Sequence, residues 1–265
     1  MRIAIFQGPE HAKTPEQAVD LMVTVAADAA HRGARLLICP EMYLTGYNIG
    51  PEAARRLAVP ANGASAQSIM QTARECGIAI LYGYPERGPD GQIYNTAQLI
   101  DRSGQTRGSY RKTHLFGEID RAAFSAGSSL PDIIELDGIK IGILICYDVE
   151  FPENVRALAL RGADLIAVPT ALMQPFDIVA RTIVPARAYE NQAFVAYADR
   201  CGVEGELSYC GLSCVIGPDG SDLARAGRTE ALIVADLDLD QLAQSRARNT
   251  HLRDRRPHLY GVLSK

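Results

Sequence analysis

The 265-residue chain has no long apolar run, no excess of basic residues and no dense set of cysteines. A membrane-spanning helix needs about 18 or more consecutive apolar residues. The longest apolar run, around Ile141 to Cys146, has only the length of a strand. The formal net charge of −4 offers no positive surface for nucleic acid or anionic lipid. We therefore expect no membrane partner and no nucleic-acid partner.

The six cysteines do not form the pattern of a disulfide framework, because they are sparse for a chain of this length. Cys39 and Cys146 lie inside apolar strand patterns, as reduced, buried thiols do. The chain opens with Met1–Phe6, which resembles a strand more than a secretion signal. These features indicate a reducing compartment, and we expect a cytoplasmic location.

Several common catalytic and cofactor motifs are also absent. The chain has no G-x-x-x-x-G-K-[ST] loop, no strand-bound G-x-G-x-x-G, no H-E-x-x-H and no C-x-x-C. It has no G-x-S-x-G turn, so a serine hydrolase of the α/β type would lack its nucleophile. Cys210 and Cys214 form the closest cysteine pair, but no histidine-rich segment accompanies them. We expect neither a metal ion nor an organic cofactor.

The patterning of the chain predicts an α/β fold with mixed sheets. Short apolar segments alternate with amphipathic segments almost from end to end. Predicted strands cover 2–7, 35–40, 78–84, 164–168 and 194–197, and predicted helices cover 15–32, 62–76, 152–161 and 178–190. Turn sequences at 101–104, 137–138 and 217–220 predict three antiparallel hairpins. No linker interrupts the pattern, so residues 1–265 are predicted to form one domain with a polar tail at 237–265.

Three polar residues stand where predicted strands end: Glu41 follows 35–40, Lys112 follows 108–111 and Cys146 ends 140–146. In open α/β sheets ligands bind outside the carboxyl ends of strands, so these side chains could converge. Taken singly, each has a plain structural explanation as a buried thiol, a loop charge or a solvent-exposed amine. Together they form a working set, because a thiol with a pKa near 8.5 needs a base or a nearby cation to react.

Each member of this set has a distinct chemical task. A buried Glu41 with a raised pKa can accept the thiol proton and later pass it to a leaving amine. The Lys112 ammonium can neutralise the oxyanion of a tetrahedral intermediate in a site of low dielectric constant. The backbone N–H of Tyr147, which follows the nucleophile, is a second oxyanion donor.

The three polar residues lie in three spaced blocks, Pro40–Tyr47 (PEMYLTGY), Tyr110–Phe116 (YRKTHLF) and Ile145–Glu153 (ICYDVEFPE). These blocks resemble the active-site blocks of the nitrilase superfamily of carbon–nitrogen hydrolases. The resemblance implies a four-layer α-β-β-α sandwich, a Glu41–Lys112–Cys146 triad and assembly into a homodimer or a larger homo-oligomer. It also implies a second carboxylate after the lysine, for which we favour Glu118 over Asp120. The tail at 237–265 is expected to lie at an oligomer interface.

Within this superfamily the sequence is most similar to bacterial aliphatic amidases, such as 5-aminopentanamidase and the stereoselective amidases. The segments that carry this similarity are Thr45–Gly50, His114–Asp120 and Tyr209–Gly211. The chain departs from these relatives at Leu172, where they have asparagine. The resemblance implies hydrolysis of a small aliphatic amide to an acid and ammonia through a Cys146 thioester.

Residues near the predicted strand ends are candidate walls of a substrate pocket, namely Tyr47, Phe116, Tyr147, Leu172 and Phe176. If the substrate carries a terminal ammonium, Glu150 or Asp177 could pair with it by charge.

Other interpretations of the same residues remain open. A nitrilase or an N-carbamoyl hydrolase would use the same triad. A cysteine–histidine enzyme would use His114, although a structural imidazole is favoured. A non-catalytic binding protein is also an alternative, but it would not need all three triad side chains.

Overall fold

The computed structural model describes residues 1–8 and 14–264, and within that part of the chain the long strands form two six-stranded sheets. In spatial order, the first sheet contains β14 (Ala231–Asp236), β1 (Arg2–Gln7), β2 (Leu36–Ile38), β3 (Ala79–Arg87), β4 (Ile93–Ile100) and β5 (Thr106–Arg111). The second contains β13 (Asp222–Arg225), β12 (Cys214–Ile216), β9 (Phe194–Ala198), β8 (Leu165–Pro169), β7 (Ile139–Ile143) and β6 (Ile134–Leu136). A separate hairpin consists of β10 (Val203–Glu204) and β11 (Leu207–Ser208).

The helices are α1 (Pro15–His31), α2 (Gly50–Leu57), α3 (Ala64–Cys76), α4 (Gly117–Ala123), α5 (Pro152–Leu160), α6 (Val184–Asn191) and α7 (Leu239–Arg248). Short helical turns lie at Cys146–Glu150, Val179–Ile183, Pro257–Leu259 and Gly261–Ser264. The Thr14 hydroxyl caps α1 by accepting the N–H of Gln17, and α3 ends at Gly77, whose φ of 64° favours glycine. None of the helices in the described part of the chain is long and apolar enough to span a membrane.

Side chains of the first sheet alternate between two hydrophobic cores. On β1, Ile3 and Ile5 pack with residues of the second sheet, whereas Ala4 and Phe6 pack with α1 and α3. Because successive strand residues point to opposite faces, a strand buried on both faces is apolar throughout. The second sheet buries its other face under α5 and α6, through residues such as Leu158 and Val184. The order of layers is therefore helix, sheet, sheet, helix, which confirms the predicted four-layer sandwich.

The strands that lead into the predicted site run in the same direction within each sheet. β2 pairs in parallel with β1 and β3, and β5 follows β4 in an antiparallel hairpin. β7, β8 and β9 are parallel neighbours in the second sheet. Their carboxyl ends therefore share one edge of each sheet, as the placement of polar residues predicted.

Some elements differ from the sequence predictions. β7 ends at Ile143 rather than at Cys146, because Asp148 accepts the backbone N–H of Ile145 and starts a turn there. Helix α2, strand β14 and the β10–β11 hairpin had not been predicted.

The tail also packs more closely on its own chain than its polar composition suggested. Leu237 and Leu242 join the core, and the Arg246 guanidinium bonds to Asp164 and to two backbone carbonyls. Residues 251–263 are mostly exposed, and a role for this part of the tail in an oligomer stays a prediction.

Candidate active site

Glu41, Lys112 and Cys146 lie together beyond the carboxyl ends of β2, β5 and β7. All three are buried, with Glu41 and Lys112 fully inaccessible and Cys146 7% exposed. The backbone fixes Lys112 directly after β5, since its N–H donates to the carbonyl of Asn95 and its carbonyl accepts from Gly127. Glu41 donates its N–H to the carbonyl of Thr170, which follows β8 of the other sheet. The site therefore joins both sheets.

The Lys112 ammonium bridges two carboxylates. Its Nζ lies 2.7 Å from Oε1 of Glu41 and 2.6 Å from Oδ2 of Asp120. Asn95 donates a further hydrogen bond to Oε1 of Glu41 at 2.7 Å. Two of the three ammonium hydrogens are thus engaged, which leaves one donor for a developing oxyanion. Oε2 of Glu41 and Oδ1 of Asp120 are buried without a hydrogen-bond partner among the described residues.

Burial and charge shift the acidities of this group. Burial raises the pKa of the Glu41 carboxyl, and the Lys112 ammonium opposes that shift. Burial alone would lower the pKa of Lys112, but the charges of Glu41 and Asp120 outweigh burial and raise it. Lys112 is therefore a cation at neutral pH, and Glu41 is a stronger base than an exposed glutamate.

Cys146 occupies a strained position at the start of the turn Cys146–Glu150. Its φ is 47°, in the left-handed region that residues with a Cβ rarely adopt. Asp148 anchors this turn through its carboxylate, which accepts hydrogen bonds from the N–H of Ile145, the Tyr110 hydroxyl, the Thr113 hydroxyl and the N–H of His114. The strain is thus balanced by a buried polar network that links the Cys146–Glu150 turn to the segment after β5.

The Cys146 thiol is not ionised at rest. Burial and the Glu41 carboxylate raise its pKa well above the ordinary value, and Lys112 only partly offsets them. Such a thiol needs a base to react at neutral pH, and Glu41 lies close enough for its charge to act on the thiol.

A cavity of about 240 Å³ opens beside the Cys146 thiol. Its walls are Tyr47, Phe116, Cys146, Tyr147, Glu150, Leu172, Met173 and Phe176. The structure brings together all the pocket residues predicted from the sequence, and adds Met173. Glu150 contributes a carboxylate to an otherwise mostly apolar lining. The volume equals that of roughly eight water molecules at about 30 Å³ each, which suits a short acyl chain.

The position of Glu118 contradicts the sequence prediction. Its side chain is 89% exposed and pairs with Arg121 at 3.2 Å, whereas Asp120 is fully buried against Lys112. Both residues lie on α4, and a separation of two positions turns a helical side chain by about 200° at 3.6 residues per turn. Only one of them can face the lysine. Asp120 also accepts the N–H of Phe116, which fixes it in the first turn.

His114 is held in the network beneath the nucleophile turn. Its Nδ1 lies 2.8 Å from Oδ1 of Asp148, and its ring stacks on Phe151 with centroids 4.1 Å apart. These contacts favour the structural interpretation of this imidazole over a cysteine–histidine pair.

Several residues that shape the site were not predicted from the sequence. Asn95 on β4 was hidden in a hairpin strand, and Asp199 and Arg200 follow β9 without a recognisable motif. The Thr170 side chain and the Ala171 backbone lie close enough to Cys146 to lower the pKa of its thiol, although burial outweighs them. The position of these residues at the ends of β8 and β9 was the available signal, because that edge carries the rest of the site.

A four-layer sandwich with a buried Glu–Lys–Cys constellation at the strand ends defines a carbon–nitrogen hydrolase of the nitrilase type. The family model described as "Carbon-nitrogen hydrolase" matches residues 2–247. The chain belongs to this family, and it is a carbon–nitrogen hydrolase.

Relatives of known or named activity are similar along nearly the whole chain. A Pseudomonas protegens protein named "Hydrolase in pqqF 5'region" is 54% identical over 100% of this chain and 92% of its own length. An (R)-stereoselective amidase from Pseudomonas sp. is 38% identical over 93% of this chain and 89% of its own. Structures of an amidase from Nesterenkonia sp. AN1 match with a TM-score of 0.85 and 37% identity, covering 99% of both chains. One of them shows acrylamide added to the active-site cysteine.

Proposed function

We propose that this protein is a thiol amidase that hydrolyses a small aliphatic amide to a carboxylic acid and ammonia. The observation that carries the proposal is the buried Lys112 ammonium, held between Glu41 and Asp120 next to the Cys146 thiol. This arrangement provides a base, an oxyanion donor and a nucleophile in one dry site. The amidases among the relatives support the reaction class.

The first half-reaction transfers the acyl group to sulfur. Glu41 accepts the thiol proton through its unpartnered Oε2, and the Cys146 sulfur attacks the amide carbon. The oxygen becomes an oxyanion that the third N–H of Lys112 and the backbone N–H of Tyr147 stabilise. Glu41 then returns the proton to the nitrogen, the carbon–nitrogen bond breaks, and ammonia leaves a thioester on Cys146.

The second half-reaction releases the acid. Glu41 takes a proton from water, the hydroxide attacks the thioester carbon, and the carbon–sulfur bond breaks. The proton returns to the sulfur, which restores the thiol. Water supplies the oxygen of the acid, and no oxidant, reductant or cofactor enters the balance.

The pocket lining supports a substrate whose acyl chain carries an amine, such as 5-aminopentanamide. Glu150 lines the cavity together with the rings of Phe116, Tyr147 and Phe176. The Phe116 ring meets those of Tyr147 and Phe176 edge to face, at centroid distances of 5.3 and 6.1 Å. Aromatic faces and a carboxylate together attract an ammonium group. Asp177, the other carboxylate considered, is already paired with Arg228.

Ammonia release tests the proposed reaction. Purified protein is incubated separately with pentanamide, 5-aminopentanamide and pentanenitrile, and Cys146→Ala serves as the control. We expect the parent protein to release ammonia from at least one of the two amides, and we expect the Cys146→Ala protein to release none. Ammonia from the nitrile alone would replace the amidase assignment with a nitrilase. Equal ammonia from the Cys146→Ala protein would remove the thiol from the mechanism.

A further inference from the structure

Arg200 is a buried arginine whose guanidinium contacts the backbone of the proposed base. The residue is 4% exposed and follows β9 in the second sheet. Its Nε donates to the carbonyl of Glu41 at 3.1 Å, and its Nη2 donates to the carbonyl of Met42. Both acceptors belong to the segment after β2 in the first sheet. The side chain therefore crosses from one sheet to the other.

The surroundings of Arg200 indicate that these two carbonyls are its main partners. Among the described residues, the guanidinium forms hydrogen bonds to these two carbonyls and to no carboxylate, although removing such a charge from water costs several kcal/mol. Met42 has a φ of 50°, in the left-handed region that is unfavourable for a residue with a side chain. The peptide between Glu41 and Met42 is thus held in an uncommon conformation by a planar donor that fits two adjacent oxygens.

Asp199, the preceding residue, fixes the opposite wall of the site. Its Oδ1 accepts the N–H of Leu172 at 2.7 Å and the N–H of Arg200 at 2.8 Å. Leu172 lines the cavity beside Cys146. One dipeptide therefore holds the segment of the base and the segment next to the nucleophile.

We propose that Arg200 is a positioning residue that holds the Glu41 carboxylate at the right distance from the Cys146 thiol. Asp199 aligns the segment that contains Leu172 on the opposite side of the site. Arg200 acts through the backbone of Glu41 and Met42, so its shape matters as well as its charge. The inference rests on the proposed function only in taking Glu41 as the base. If the Glu41 carboxylate moved by about 1 Å, kcat would fall on the order of 10²-fold. The substrate pocket would stay intact, so KM would change little.

Two substitutions at Arg200 and one matched control test this role. Arg200→Met removes both hydrogen bonds. Arg200→Lys keeps the charge but lacks the planar guanidinium that donates to both carbonyls at once. Arg246→Lys is the control, because Arg246 also donates to two backbone carbonyls but lies on α7, outside the cavity lining. For each protein we would measure kcat and KM with the best amide, the iodoacetamide alkylation rate of Cys146 and the melting temperature.

Loss of the Arg200 contacts should lower kcat in a graded way and change KM little. We expect kcat to fall about 100-fold in Arg200→Met and about tenfold in Arg200→Lys, with KM within about threefold of the parent value. The alkylation rate should fall in the same order, and Arg246→Lys should keep the parent values of kcat and alkylation.

Other results would overturn the inference. Unchanged kcat and alkylation in folded Arg200 variants would show that the contact does not position the base. Failure of both variants to fold would show that Arg200 is only a structural core residue. If the parent protein turns over no amide, the proposed function fails, but the alkylation series still measures the position of Glu41 independently.

Discussion

The ammonium of Lys112 lies 2.7 Å from Oε1 of Glu41, and neither side chain is exposed to solvent. A buried ion pair is stable only when further hydrogen bonds satisfy both groups. Asp120 and Asn95 supply those bonds here. The group therefore carries two carboxylates and one ammonium, and its electrostatic balance depends on each member.

Substitution of Asp120 should impair catalysis, whereas substitution of Glu118 should not. In Asp120→Asn the lysine loses one of its two carboxylate partners and shifts toward Glu41, so we expect kcat to fall on the order of 10²-fold. Glu118→Gln alters an exposed carboxylate and should stay within about 0.5 kcal/mol in stability and near the parent kcat. Steady-state kinetics and thermal unfolding of both variants measure this. A larger loss in Glu118→Gln than in Asp120→Asn would contradict the assignment.

The pH dependence of kcat/KM should reflect the raised pKa of Glu41. Glu41 must be ionised to accept the thiol proton, so the rate falls as the pH falls through the pKa of this carboxyl. Because burial raises that pKa, the midpoint should lie above the ordinary glutamate value of about 4.3. The raised pKa of Lys112 predicts no loss of rate below about pH 10. A midpoint at or below the ordinary glutamate value would argue against Glu41 as the base.

Cys146 should be the fastest cysteine to react with iodoacetamide at neutral pH, despite its raised pKa. It lines the cavity next to a base, whereas burial raises the pKa of Cys201 to about 11 and that of Cys214 to about 12. Cys76 is partly exposed and lies at the end of α3, outside the cavity, so it is the internal reference. Peptide mass spectrometry should show an advantage of about 10²-fold for Cys146 over Cys76. The advantage should disappear in Glu41→Gln, and its persistence there would point to a different base.

Glu150 should distinguish a cationic substrate from its neutral analogue. A charge-assisted contact contributes about 1.5 kcal/mol or more, so Glu150→Gln should raise KM for 5-aminopentanamide about tenfold and leave pentanamide unchanged. Asp177→Asn is the matched control, because Asp177 is paired with Arg228 and does not line the cavity. Equal kcat/KM values of the parent protein for the two amides would show that Glu150 does not bind an ammonium.

The four-layer order was implied by the family resemblance. The continuous apolar runs of β1 to β3 reflect burial of both faces, and by themselves they indicate only a doubly covered sheet or two packed sheets. Helix α2 was missed because it has only eight residues and buries only Ala54, so its pattern is too short to identify a helix from the sequence. Strand β14 was missed because its pairing partner β1 lies at the other end of the chain. Pairing over that distance leaves no local signal.

The site was predictable where a candidate catalytic residue follows a strand, as Glu41, Lys112 and Cys146 do. The choice between Glu118 and Asp120 was wrong because it depends on the phase of α4, which begins at Gly117 after a loop and has no periodic pattern of its own. Arg200 and Asp199 form hydrogen bonds to backbone atoms of distant segments. Because every residue has such backbone groups, these contacts cannot be predicted from residue types.

A quenched-flow mass measurement of the protein with 5-aminopentanamide tests the central claim most directly. Attack of Cys146 on the amide with loss of ammonia predicts a transient mass gain equal to the acyl group minus one hydrogen. The gain should map to the peptide that contains Cys146 and should be absent in Cys146→Ala. Ammonia release without any such adduct, or with an adduct on another residue, would contradict a thioester mechanism at Cys146.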